Sequence, residues 1–242
     1  MPFAVVAVNL TGLPTRALSA GVYDIESTSL SSQLPLKKSL TNQELRDISV
    51  QKIYNSALSL FVEQGYHATT VDQIAAGAGL TKGGVYFYFG KKEEILSWIV
   101  DKVSREYIDE IGSRIERDYD RAQDRLVSLM RWQANYAKLN PREGMLLIIV
   151  SLNFHNKTGA LADQIVDVYQ RLHALLVRVF EHGRKTGEFT QKVRTPELAS
   201  FYIAAHDGMM IEWYRSRQPI EGPELVRAFR QTIMNGIRRH SS

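Results

Sequence analysis

The chain has 242 residues, 44% of them hydrophobic, enough for one large domain or two modest ones with a substantial core. Its 30 Lys and Arg against 26 Asp and Glu leave a net charge of +4, too small an excess to identify a nucleic-acid binder by itself. It has no cysteine, which excludes disulfides, thiolate metal sites and a cysteine nucleophile, and is compatible with a reducing cytoplasm.

Residues 1–40 hold Pro2, Pro14, Pro35, Gly12, Gly21 and the polar cluster Ser27–Ser32 without a sustained period, and are predicted to be a flexible N-terminal extension. Arg16, Lys37 and Lys38 would let its end follow a DNA groove; the plainer reading is an extension with no partner. Regular structure is predicted to begin at Thr41, which forms a capping box with Glu44. Leu45, Ile48, Ile53, Ala57, Leu60 and Phe61 follow at helical spacing, and Gly65 ends the helix.

Two short helices come next. Thr70 caps the first, with Gln73 as its capping-box partner and Val71, Ile74, Ala75 and Ala78 as its buried face. Gly79 supplies a turn, and Thr81 caps the second. There Val85 and Phe89, four apart, point inward and leave Lys82, Gly83, Gly84, Tyr86 and Phe87 outside. Two adjacent glycines cost a helix about 1 kcal/mol each relative to alanine. Gly83-Gly84 therefore suits a backbone that must approach something closely, and a face of Lys, Gly and Tyr suits DNA. With the helix before them, these elements make a three-helix unit over residues 41–92.

Glu93-Glu94 opens a long connecting helix marked by Ile95, Leu96, Ile99, Val103 and Tyr107. The helical pattern continues through Leu126, Leu129 and Met130, through Met145–Phe154 after Pro141, and through Leu161, Ile165, Val168, Leu172, Leu175 and Val179. Thr195-Pro196 and Gly222-Pro223 each place proline at a first helical position and open the last two helices. No segment alternates as a strand does. The expected fold is all-α: an N-terminal three-helix helix-turn-helix domain, then a C-terminal helical bundle over residues 93–242, about nine helices in total. No apolar run approaches the roughly 18 residues needed to cross a bilayer, so a cytoplasmic protein without a membrane partner is expected.

Across Thr69–Lys92 the sequence resembles the DNA-binding domain of the TetR family of bacterial transcriptional regulators. The matching residues are Thr70, Ile74, Ala75, the Ala78-Gly79-Leu80 turn, Thr81-Lys82-Gly83, the run Val85-Tyr86-Phe87-Tyr88-Phe89, and Lys92-Glu93. Phe87 stands where many relatives have tyrosine, and Tyr88 where histidine is frequent. The resemblance implies a homodimeric repressor that binds a palindromic double-stranded operator and is released by a small molecule. It also implies phosphate contacts from Thr70, Thr81 and Lys92, groove-facing roles for Lys82, Gly84 and Tyr86, and a DNA-binding surface that takes in Gly83, Phe87 and Tyr88.

For the effector, the aromatic and polar candidates are Trp132, Tyr136, Phe154, His155, Tyr169, His173, His206, Met209 and Trp213, a set suited to an apolar or aromatic ligand with a few hydrogen bonds. For the dimer, the last two helices offer Ala199, Ala205 and Gly208 for close approach and Phe229, Ile233 and Ile237 for apolar area. Two other readings stand beside this one. A helical enzyme would have to use the His206/Asp207 region, yet the chain lacks the His-Glu-x-x-His, Glu-x-x-His and Gly-x-Ser-x-Gly patterns, so no cofactor or metal is expected. A helical interaction protein would show no sequence-specific DNA affinity.

Overall fold

Two capping boxes fix where the chain enters its first helices. In a computed structural model that describes residues 41–216 and 222–238, Thr41 accepts from the Glu44 amide at 3.2 Å while the Glu44 carboxylate accepts from the Thr41 amide at 2.7 Å. Thr70 and Gln73 repeat the arrangement at 3.2 and 2.8 Å. Each box satisfies two backbone donors that a helix N-terminus otherwise leaves open. The extension predicted for residues 1–40 lies outside the described residues.

The elements are α1 (Asn42–Gln64), α2 (Val71–Ala78), α3 (Lys82–Tyr88), α4 (Lys92–Ser104), a π-helical turn (Arg105–Asp109), α5 (Glu110–Asp118), α6 (Ala122–Leu139), α7 (Pro141–Phe154), α8 (Ala160–Lys185), α9 (Thr195–Arg215) and α10 (Gly222–Ile237). Since α4, the π turn and α5 are contiguous, they form one long rod, and the described residues match the expected helix number. The only β-type pairing among them is an isolated antiparallel bridge between Phe189 and Arg238.

Gly79 ends α2 in the left-handed region (φ 66°, ψ 34°), where glycine meets no Cβ penalty. The amides of Gly79 and Leu80 return to the Ala76 and Ala75 carbonyls at 3.1 and 2.9 Å, a Schellman closure that turns the chain sharply into α3. The two helices α1 and α2 pack tightly at Gly77, where an added Cβ would land on Ser56 Oγ, itself donating to the Ile74 carbonyl at 2.9 Å.

One continuous core runs from Ile53 in α1 to Ile237 in α10 and crosses the boundary expected between residues 92 and 93. Tyr54 of α1 carries part of that crossing: its hydroxyl donates to Glu143 of α7 at 3.1 Å, and its ring meets Trp98 of α4 edge-on at 5.6 Å. The start of α1 departs from expectation. Leu45 and Ile48, at helical spacing with the core residues, are exposed, and the buried face of α1 starts at Ile53 and runs through Ala57 and Phe61.

Candidate functional site

The α2–turn–α3 unit presents one face away from the core. Val85 anchors α3 with no exposed surface, while Lys82, Gly83, Tyr86 and Phe87 are exposed, Phe87 at 75%. Gly84 and Tyr88 are half-buried. Thr81 caps α3 by accepting from the Gly84 amide at 3.0 Å. Lys82 pairs with Asp72 of α2 at 2.8 Å; both partners are solvent-exposed, and that hydrogen bond raises the lysine pKa. An exposed pair of this kind contributes little stability and is easily exchanged for a phosphate.

An added Cβ at Gly83 would meet only Thr81 Oγ1, at 4.0 Å. Nothing inside the chain requires a glycine there, unlike at Gly77. Tyr88 is held from two sides, with the Arg46 guanidinium 5.5 Å from its ring centre and Phe87 edge-on at 5.1 Å.

Lys92 sits differently from a free phosphate ligand. Its Nζ donates to the Tyr66 carbonyl at 2.7 Å and the Thr69 carbonyl at 2.6 Å, and lies 4.2 Å from the centre of the Tyr66 ring. Burial lowers its pKa. Two of its three donors thus tie the start of α4 to the loop before α2, leaving one for an outside partner. Carbonyls 26 and 23 residues away give no signal at helical or strand spacing.

The candidate effector residues divide among three places. Phe154, His155, Tyr169 and His173 line a cavity of about 580 Å³ between α7, α8 and α9. His206, Met209 and Trp213 line a second, of about 530 Å³, between α6, α9 and the start of α10. Trp132 and Tyr136 stack on each other at 5.1 Å and pack against Tyr107 of the π turn at 5.3 and 5.2 Å. Phe154 also touches the N-terminal unit, lying 5.2 Å from the Tyr66 ring and stacked on His67 at 6.0 Å.

A polar chain joins the two cavities. The Tyr169 hydroxyl donates to Asp207 at 3.3 Å, the other Asp207 oxygen is 3.2 Å from His206 Nδ1, and His206 Nε2 is 3.0 Å from the Tyr107 hydroxyl. Burial pushes the Tyr107 and Tyr169 hydroxyls well up, so both stay neutral and able to donate. Gln133, absent from the expected set, lies beside this chain at 2% exposure. Its Oε1 accepts from Tyr202 at 2.6 Å. Its Nε2 comes near enough to the Tyr107 oxygen to restrain that phenol's rise, yet makes no hydrogen bond. The signal in the sequence was a lone glutamine on the apolar face of α6.

Of the residues expected at a dimer contact, Ala199, Ile233 and Ile237 are buried in the chain's own core. Phe229 packs edge-on against Tyr202 at 5.3 Å, Ala205 is half-buried and Gly208 is exposed. The burial has a simple cause: α10 lies on both α6 and α9, so its apolar stripe is consumed within the chain. Among the described residues no group of three or more His, Asp and Glu could hold a metal, and no helix is long and apolar enough to cross a membrane.

Residues 53–98 match the family described as bacterial regulatory proteins, tetR family. The crystal structure of the MbdR regulator from Azoarcus sp. CIB is 34% identical, covers 78% of this chain and 98% of its own, and superposes with a TM-score of 0.72. The HTH-type transcriptional repressor KstR2 of Mycobacterium tuberculosis is 25% identical over 187 residues, 75% of this chain and 88% of the repressor. FadR from Bacillus subtilis, solved in complex with stearoyl-CoA, shares the fold at 21% identity and a TM-score of 0.63, covering 78% of this chain and 99% of its own. These relatives are transcriptional regulators, and each matches three quarters or more of this chain. The chain therefore belongs to the TetR family and is a DNA-binding transcriptional regulator.

Proposed function

We propose that the protein is a homodimeric repressor that reads a palindromic operator through α2 and α3 and leaves it when a small molecule occupies the helical body. The observation that carries the reading is the outward face of α3, where Lys82, Gly83, Tyr86 and Phe87 stand exposed beside two threonine-capped helix starts. Thr70 and Thr81 bring hydroxyls and open amides to phosphates, Lys82 exchanges Asp72 for a phosphate or a guanine edge, and Gly83 and Gly84 let the backbone approach the groove. Lys92 contributes mainly by holding the Thr69–Thr70 segment in place. Tyr88 supports Phe87.

Residues 41–92 are assigned to DNA and residues 93–242 to ligand and dimer. Cavities of about 580 and 530 Å³ lie in the range of small-molecule sites, and regulators sharing the fold have been solved with stearoyl-CoA and with choline. A single recognition helix reads only a few base pairs, so a dimer is needed for a specific site. Phe201, Ala205 and Gly208 recur at i, i+4 and i+7 on the outer side of α9 and offer the contact. The effector acts by favouring a tilt of α4 that spreads the two α3 helices beyond the operator spacing. A cytoplasmic location follows from this role.

Selection of bound sequences from a random DNA pool tests the reading. A palindrome with half-sites one or more helical turns apart is expected; recovery of no preferred sequence overturns it. Coupling is reciprocal, so the effector and the operator must weaken each other's binding by the same factor.

A further inference from the structure

The cations of the N-terminal unit are unequally engaged. Lys82 pairs with Asp72, Lys91 pairs with Glu93 at 2.9 Å, and Lys92 donates to two backbone carbonyls. Arg46, in the second turn of α1, is exposed, and its guanidinium lies over the ring of Tyr88 in α3, 5.5 Å from the centre. The acids nearest to it in α1 have other partners: Glu44 closes the capping box with Thr41, and Asp47 accepts from Gln43 at 2.8 Å. The sequence ahead of them carries no Asp or Glu from Ser27 to Gln43 and holds Lys37 and Lys38.

A guanidinium stacked on a ring uses its face and leaves its N–H edges for an acceptor. The stacking also confines a long side chain in advance, so less freedom remains to be lost when an acceptor is bound. Tyr88 adjoins Phe87, whose ring it meets edge-on at 5.1 Å and which is 75% exposed on the outward face of α3. Arg46 therefore stands at the border of that face, on a different helix. Leu45 and Ile48, close to it in sequence, are exposed as well, so these turns of α1 add little to the core.

We infer that Arg46 extends the DNA-binding surface onto the start of α1: held over Tyr88, it donates to a backbone phosphate beside the groove that α3 enters. The assignment rests on the operator reading above and adds to it a residue, a second helix and the anion contacted. Tyr88 acts as a positioning residue for the guanidinium. An acidic protein is the rival source of an acceptor; DNA is favoured because the ring that holds Arg46 belongs to the recognition helix itself.

Anisotropy titrations of the full chain test the inference, with the operator selected from the random pool and with copies of it in which single phosphates are replaced by uncharged methylphosphonates. Arg46→Ala should weaken operator binding about tenfold or more at about 0.1 M salt and lower the slope of log affinity against log salt by about 0.9 for each bound subunit. Its melting temperature and the palindrome it selects should match those of wild type, since the side chain is exposed and a phosphate contact carries no sequence information. In wild type, neutralising one particular phosphate in each half-site should cost about as much as Arg46→Ala, and in that variant the cost should vanish. Arg46→Lys keeps the charge without the fork and should restore the slope with only part of the affinity. With Tyr88→Leu already in place, Arg46→Ala should cost less than it does in wild type.

If R46A keeps wild-type affinity and slope while the palindrome is still recovered, the inference falls, the operator reading stands, and an acidic partner becomes the better acceptor. A weakened R46A that responds to every neutralised phosphate as wild type does would also overturn it, by showing a general effect of charge. Equal costs of Arg46→Ala with and without the Tyr88 ring would overturn the positioning role. A chain that prefers no DNA sequence loses the operator reading and this inference together.

Discussion

His206 Nε2 and the Tyr107 hydroxyl lie 3.0 Å apart across 99 residues of sequence, and the contact joins α9 to the π turn in the long connecting rod. A π turn is tolerated where a local distortion of the helix places a group that a regular helix would not. Here it turns Tyr107 toward His206 and against Trp132 and Tyr136. Since α4 continues the same rod to the N-terminal unit, a change at His206 reaches α4 through a single side chain. Replacing Tyr107 by phenylalanine removes the hydroxyl and leaves a buried ring nitrogen without its partner, with an expected loss of about 1–3 kcal/mol in denaturant unfolding. A loss below about 0.3 kcal/mol would show that the contact does not hold the π turn.

Gly83 provides a test in which stability and binding move in opposite directions. An added Cβ meets nothing nearer than 4.0 Å within the chain, so Gly83→Ala should stabilise the free protein by about 0.5–1 kcal/mol through helix propensity alone. Against DNA the same methyl intrudes where the backbone approaches the groove, and operator affinity should fall about tenfold or more. A variant that is stabilised and binds the selected operator as well as wild type would remove α3's glycine face from the interface.

Much of the fold could be read from short-range patterns. Thr41 with Glu44, Thr70 with Gln73, and the prolines opening α7 and α9 work within one helical turn, where spacing alone determines geometry. The exposed α3 face was legible for the same reason. The misplacements came from contacts whose partners are remote. Leu45 and Ile48 carry the right period, but both are exposed, and burial along α1 begins only at Ile53. Ala199, Ile233 and Ile237 suit a dimer contact by type, but the return of α10 onto α6 and α9 buries them. Gln133 matters because of Tyr202, 69 residues away.

Lys92 and Lys82 test how the cationic roles divide. Lys92 is tied to the Tyr66 and Thr69 carbonyls, so Lys92→Ala should lower stability by about 1–2 kcal/mol, while the slope of log affinity against log salt changes by well under one unit. Lys82 is exposed and its partner Asp72 is exposed too, so Lys82→Ala should leave the melting temperature unchanged and reduce that slope by about 0.9. Salt-titrated operator binding of both variants decides it. Interchanged effects would return Lys92 to the phosphate-contacting role implied by the family resemblance.

Glu188 gives a prediction in pH. Burial by itself would push its carboxyl up, but the amides of Ala122 and Gln123 at 3.0 and 3.1 Å, the Thr186 hydroxyl at 2.9 Å and the nearby Arg121 outweigh it and hold the group below the ordinary carboxylate range. The two amides belong to the open first turn of α6, so Glu188 caps that helix from 66 residues away and complements its dipole. A carboxylate whose folded pKa lies below its unfolded value contributes stability that is complete above the unfolded value and is lost as pH falls through the folded one. Wild type should therefore exceed Glu188→Gln by about 1 kcal/mol at pH 7, because glutamine offers one acceptor oxygen where two amides need acceptors. The difference should hold down to about pH 4.5 and shrink below it as Glu188 takes up a proton. Denaturant unfolding of both proteins from pH 7 to pH 3 measures it. A difference that stays constant across that range would mean that the cap acts by shape alone, with no contribution from the carboxylate charge.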